Sequence, residues 1–233
     1  MTPAGTTVSM RLHGYYRSST SYRVRIALNL KALEYETVPV NILTGAHRSE
    51  PYRAINAFAT VPALEVDGRI YAQSLAILEW LDERYPDRPL LPQDIEDRFV
   101  ARELAYAIAT ELHAPLNSPV LAYLQHDLGL SPEAVRDWYH RWLAKTLTAV
   151  EAKLAQRRTG DFLFDRPGVF EAVLIPQLYN ARRFEFDLSD MAHITRIEAA
   201  CVSHPAFVAA HPDNQPDAPE PPDSSPSPQR VTA

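Results

Sequence analysis

No helix or strand can run through Pro86-Asp87-Arg88-Pro89-Leu90-Leu91-Pro92, because three prolines in seven residues remove backbone donors and fix φ repeatedly. The segment cuts the chain into two stretches with different hydrophobic periods. Before it, Val8 to Leu12 alternates like a strand, a hydroxyl-rich loop runs from His13 to Ser21, and Val24, Ile26, Ala27, Leu28 and Leu30 crowd a helical segment. Tyr35 to Val40 is a second strand candidate, and Thr44 to Asn56 is polar and helix-permissive. Ala63 to Val66 and Arg69 to Ala72 flank Asp67-Gly68, a dipeptide that favours a tight hairpin turn. Ser74 stands as N-cap to a helix carrying Leu75, Leu78, Leu81 and Tyr85. Residues 8–85 therefore spell β-α-β-α-β-β-α, an α/β domain, and residues 86–93 form a linker. Residues 94–211 show helical spacing only: Asp94 to Leu112, Val120 to Leu128, Ser131 to Gln156, Phe170 to Phe184 and Ser189 to Ser203. The second domain is expected to be all-α. Residues 212–233, with seven prolines and hardly an apolar side chain, are expected to be a disordered tail.

The charge distribution narrows the partners. The formal net charge is −6, and the stretch from Asp213 to Arg230 holds four acids against one base, so the body is nearly neutral. A nucleic-acid binder needs a basic stripe that this chain lacks, and no apolar run is long enough to cross a bilayer. Neither nucleic acid nor membrane is expected as a partner. Cys201 is the single cysteine, which excludes an internal disulfide framework, and Met1 to Met10 has no secretory pattern; a reducing cytoplasm is the expected location.

Four consecutive hydroxyl residues, Ser18, Ser19, Thr20 and Ser21, sit at the mouth of the first helix. Hydroxyl donors and free N–H groups converge there, which makes an anion site; plain helix capping is the competing reading. Arg17 precedes them and offers a guanidinium fork suited to a carboxylate. None of the eight histidines has metal-ligand spacing, so no metal is expected.

Arg17 to Leu28 reads R-S-S-T-S-Y-R-V-R-I-A-L, similar to the zeta-class signature R-S-S-C-S-x-R-V-R-I-A-L except at Thr20. Asn56, Val61-Pro62-Ala63-Leu64, Gln73-Ser74-Leu75-Ala76-Ile77, Leu81 to Pro86, Ile175-Pro176-Gln177 and Ala181-Arg182-Arg183-Phe184 extend the match over about Met10 to Pro219. The chain resembles the zeta-class glutathione transferases, the family of maleylacetoacetate and maleylpyruvate isomerases. The resemblance implies a thioredoxin-like first domain and a helical second domain, glutathione as cofactor, a small anionic unsaturated keto acid or related ene-dione as substrate, and a homodimer. It assigns Ser18 and Thr20, with Arg17, to catalysis at the thiolate. Ser18, Ser19, Thr20, Val61 ahead of a cis proline, Gln73, Ser74 and His113 would hold glutathione, while Arg17, Asn117 and Arg182 would bind substrate; Arg183 is taken as a solvated charge.

The activity implied is Z-to-E isomerisation by reversible thiolate addition. A conjugating transferase or dehalogenase, or a binding protein that kept the fold without the activity, remain as alternatives. Three departures from the family pattern bear on this. Asn56-Ala57-Phe58-Ala59 has no glutamine before Val61-Pro62, which removes one expected contact to the tripeptide. Glu111 to Asn117 carries one extra residue, at Ala114, and Ser118-Pro119 replaces arginines of the bacterial maleylpyruvate form. Gly168-Val169-Phe170-Glu171 replaces a full capping box, so capping of the core helix should be weaker.

Overall fold

The computed structural model describes residues 9–220. Strand β1 (Met10–Gly14) lies at the centre of a four-stranded sheet of order β2-β1-β3-β4. It pairs in parallel with β2 (Glu36–Pro39), Leu12 opposite Thr37, and antiparallel with β3 (Ala63–Val66), Leu12 opposite Leu64. β4 (Arg69–Ala72) completes the hairpin through Asp67 and Gly68, both at positive φ, as the tight turn requires. Val8, expected to open β1, lies outside the described residues.

Helix α1 (Ser19–Leu30) links the two domains physically. It packs on α3 (Ser74–Arg84), on α7 (Val169–Arg183) and on α9 (Pro205–Ala210), so its residues from Ser21 to Leu28 are all buried. A helix covered on every side needs no polar stripe, which is why Arg23 and Arg25 are interior despite their charge. Gly14 ends β1 where a Cβ would lie 3.0 Å from the Ser21 hydroxyl, so the small residue sets how closely α1 approaches the sheet. The short α2 (Glu50–Ile55) follows β2.

The proline-rich connection is held by one buried cation. Lys31 Nζ donates to Asp82 Oδ1 at 3.0 Å and to the carbonyls of Tyr85 and Arg88 at 2.9 Å each, using all three of its protons. Leu90 and Leu91 then bury, and the Leu90 carbonyl accepts the Val169 N–H at 3.0 Å.

Beyond the linker, helices α4 (Ile95–Tyr106), α5 (Ser118–Ala122), α6 (Pro132–Ala155), α7 and α8 (Ala192–Ser203) form the second domain. α7 is its axis, with eleven buried residues. α9 is not read from the sequence: it has six residues capped by His204, too few to show a period.

Two expectations are corrected. Ser74 is the first residue of α3 rather than its N-cap; Gln73 occupies the cap at φ 69°, ψ 108°. The chain does not leave the body at residue 212, for Pro212 and Gln215 are buried, Gln215 donates to the carbonyls of Ala209 and His211, and Asp217 accepts the Tyr16 N–H at 2.9 Å. Prolines stop helices but do not prevent docking when side chains such as these find backbone partners. Residues 221–233 of the expected tail lie outside the described residues. At the start of α7 the capping is half present: Gly168 has no side chain, yet Glu171 accepts the N–H groups of Gly168 (2.8 Å) and Leu163 (2.7 Å). A Cβ on Gly168 would stand 2.2 Å from the Leu90 carbonyl oxygen, so the linker contact excludes a hydroxyl cap there.

Candidate active site

Ser18 caps α1 in extended conformation, its Oγ accepting the Ser21 N–H at 3.2 Å. The same oxygen is 2.9 Å from Thr20 Oγ1, which donates to the Val61 carbonyl at 2.9 Å. A hydroxyl has one proton, so Thr20, having given its own to Val61, must accept in the contact with Ser18. The Ser18 proton is then the one that can turn to an incoming anion without breaking a bond to backbone. Capping and anion binding, which compete as readings of the sequence, coexist at Ser18. The Val61-Pro62 peptide is cis, as the resemblance implies.

The start of α3 lies beside the start of α1. Arg23, one turn after Ser19, sends Nη1 to Ser74 Oγ at 3.2 Å, so two helix N-termini and their unpaired N–H groups are neighbours. Gln73, exposed and without a capping bond of its own, is a non-glycine residue held in the positive-φ region.

Above α1, α4 passes into a π-helical turn, Ala107–Leu112, marked by the His113 N–H donating to the Ile108 carbonyl at 2.8 Å. A π turn takes up one more residue than an α turn. His113 then meets Ser19 Oγ through Nδ1 at 3.3 Å. Burial and, secondarily, the Arg23 charge bring its pKa down to about 3, so the imidazole is neutral. Gln177 of α7 stands close to His113 and to Tyr139, but neither of its amide atoms reaches hydrogen-bond geometry with a partner among the described residues. Asn117 caps α5 by accepting the Val120 N–H at 3.1 Å, leaving its amide N–H₂ available.

The arginines separate by their partners. Arg17 lies over the Tyr16 ring at 5.9 Å and makes none of the ion pairs that engage other arginines among the described residues. Arg182 does not serve the cleft: Nε donates to Glu198 Oε1 at 2.8 Å and Nη2 to Oε2, so its fork is filled by α8. Arg183, read from sequence as merely solvated, is the one whose charge acts on Tyr179, the same ring that Arg17 acts on from the first domain. Burial, with the Asp213 charge behind it, pushes the Tyr179 hydroxyl up against both cations.

The first-domain segment, residues 12–89, matches the family described as "Glutathione S-transferase, N-terminal domain". A maleylacetoacetate isomerase of Pseudomonas aeruginosa is 43% identical over 90% of this chain and 99% of its own length. The chain belongs to the zeta-class glutathione transferases. Among solved structures, a holo bacterial maleylpyruvate isomerase of this class superposes with a TM-score of 0.88 at 37% identity, covering 90% of this chain and all of that one. A maleylacetoacetate isomerase from Anaeromyxobacter dehalogenans with bound glutathione superposes at 0.82 and 40% identity, covering 91% and 99%. Among residues that the structure places beside the predicted ones, the sequence reading did not single out Arg23, Gln177 or Tyr179, and it took Arg183 as solvated. Tyr179 and Arg183 are four apart on one helix, a spacing that puts both on one face, but Arg182, three from Tyr179, shares that signal, so the sequence held none that picks Arg183.

Proposed function

We propose that the chain is a glutathione-dependent cis-trans isomerase of a maleyl-type keto acid such as maleylacetoacetate or maleylpyruvate. The observation that carries this reading is the redirectable Ser18 hydroxyl at the N-terminus of α1, next to Arg17, which has no acid partner among the described residues. The residues suit glutathione: a thiol meets Ser18 and the positive end of α1, an extended peptide meets the edge at Val61, and a carboxylate meets Ser74 at the start of α3 with the buried Arg23 behind it. Glutathione supplies, when bound, the thiolate that adds to the electron-poor double bond and leaves again after rotation.

The chain's own contribution is binding, orientation and positive charge. Ser18 turns its proton outward while keeping the Ser21 N–H on its oxygen, and Thr20 holds Ser18 in place through Val61. Ser19 is fixed by neutral His113, and Gln73 and Ser74 present the α3 N-terminus. Arg17 and Arg183, converging on Tyr179, bind the carboxylate and keto oxygen of an anionic substrate, with Asn117 as a further donor. No protein acid is required, so the rate rests on orientation and preorganised charge.

A homodimer and a cytoplasmic location belong to the same reading. Ile70 on β4 and Ile95, Phe99 and Tyr106 on α4 are exposed large hydrophobics, which supports a covered face. Light scattering at micromolar concentration should give twice 26.2 kDa; a monomer there removes the dimer. No helix among the described residues is long and apolar enough to cross a membrane. The test of function is to assay maleylacetoacetate and maleylpyruvate with and without glutathione. Turnover that requires glutathione and returns it unconsumed supports isomerisation. Stoichiometric consumption instead identifies a conjugating enzyme, and no turnover of either acid refutes the reading.

A further inference from the structure

Arg23 is 2% exposed, yet no carboxylate acts on it; burial alone lowers its pKa, to about 10, so it remains a cation at neutral pH. Of its five donors only Nη1 has a partner, the Ser74 hydroxyl, while Nε and Nη2 have none among the described residues. Buried guanidinium groups are ordinarily paired with acids, and an apolar residue of similar volume would fill this position at lower cost. A fold that keeps an uncompensated cation between two helix N-termini is poised to receive an anion from outside the chain.

We propose that Arg23 is a positioning residue for the γ-glutamyl carboxylate of glutathione, acting through Ser74. Because Arg23 occupies a lone pair of Ser74 Oγ as donor, the single proton of that hydroxyl is turned away from Arg23 and outward, beyond the start of α3. The N–H groups of the first turn of α3 point the same way, since Gln73 at the cap makes no side-chain bond to them. The guanidinium, one hydroxyl away from that point, adds charge in a region closed to water, where it is screened far less than at a surface. Arg23 does not touch the cofactor; it sets the direction of the Ser74 proton and the sign of the field. The inference rests on the reading of Ser74 as a glutathione contact.

The test uses equilibrium binding rather than turnover. Calorimetry compares glutathione with 4-aminobutanoyl-cysteinylglycine, which lacks only the γ-glutamyl α-carboxylate, on the full-length protein. Wild type should prefer glutathione by about tenfold to a hundredfold, the range for a charge-assisted hydrogen bond. In Arg23→Met the preference should fall to about threefold or less, because both the field and the proton orientation are lost. Arg23→Gln keeps a donor for Ser74 without the charge and carries the comparison if the Met variant does not fold; it too should lose most of the preference. Ser74→Ala, with Arg23 intact, should lose it as well. A folded R23Q protein that discriminates like wild type overturns the proposal, as does S74A retaining full preference. A wild type that binds both peptides equally refutes the Ser74 contact itself, a failure distinguishable from that of Arg23. A merely structural arginine would weaken both peptides alike and leave the ratio untouched.

Discussion

Replacing Ser18 by alanine removes two bonds with different consequences. The Oγ that accepts the Ser21 N–H at 3.2 Å is the cap of α1, and its loss should cost about 1 kcal/mol of folding stability. The proton that now goes to Thr20 at 2.9 Å is the one available to a thiolate, and removing such a donor should lower kcat by about tenfold to a thousandfold, or roughly 1.4–4 kcal/mol of barrier. Thr20→Val separates the two hydroxyls. It takes away the acceptor for the Ser18 proton, so that proton is freed rather than lost, and kcat should change by less than about fivefold. The double variant should behave like Ser18→Ala alone. Steady-state kinetics with varied glutathione gives kcat and KM for all three proteins, and chemical denaturation gives their stability. A kcat loss in Thr20→Val as large as in Ser18→Ala would refute the proton assignment. A rise in KM without a fall in kcat for Ser18→Ala would mean that the hydroxyl binds ground and transition states equally.

Arg183→Met should lower kcat/KM for a dianionic keto acid about ten- to a hundredfold while leaving a neutral electrophile such as chlorodinitrobenzene nearly unaffected, whereas Arg182→Met should stay within about threefold on both; the reverse ranking would return Arg182 to the cleft. Glu151 receives the His193 and Ile194 N–H groups at 2.9 Å each and His193 Nδ1 at 2.7 Å; burial raises its pKa, but those donors outweigh it and hold the carboxyl below its ordinary value. Its stabilisation is therefore complete above the unfolded pKa of about 4.3 and lost as pH falls through the lower folded value, so the gap in melting temperature between wild type and Glu151→Gln should close in acid, and a gap constant with pH would refute this. Gly168→Ala should destabilise by about 1–3 kcal/mol in denaturant unfolding, since its Cβ would collide with the Leu90 carbonyl at 2.2 Å; a neutral result would mean that the linker shifts freely.

What the sequence disclosed divides by the range of the forces involved. The hairpin at Asp67-Gly68 was legible because turn chemistry is local, and β3 and β4 have the expected bounds. The helices of the second domain follow the apolar period, with boundaries displaced by a few residues where a cap or π turn intervenes. The ordered stretch after Pro212 was not legible, because its hold on the body comes from Tyr16, 201 residues away from Asp217. Arg23 was hidden for the same reason: between Tyr22 and Val24 it looks like a solvated charge, and only the packing of α1 against α3 and α7 shows that every side is covered. Lys31 is a parallel case in which three acceptors from distant positions explain the burial.

The choice between Arg182 and Arg183 shows how a motif can be matched correctly and its side chains still be assigned to the wrong face. Arg182 and Arg183 stand three and four residues after Tyr179, about 60° to one side of it and about 40° to the other, so spacing alone does not choose between them and the partners do. Arg182 is turned toward α8, where Glu198, largely buried, takes its fork. Arg183 forms no ion pair among the described residues; its charge and that of Arg17 act on Tyr179, and the buried Arg23 adds a third cation beside Ser74, while His113, driven down to about pKa 3, contributes none. Of the acids near this region, Asp217 accepts the Tyr16 N–H and Asp213 acts on Tyr179 with the opposite sign. Three positive groups that form no ion pair among the described residues suit a cofactor and a substrate that both carry carboxylates. A neutral electrophile would gain nothing from Arg17 and Arg183 to offset holding these charges beside one another, which is why the anionic keto acid, rather than a general electrophile, is the substrate class that this geometry favours.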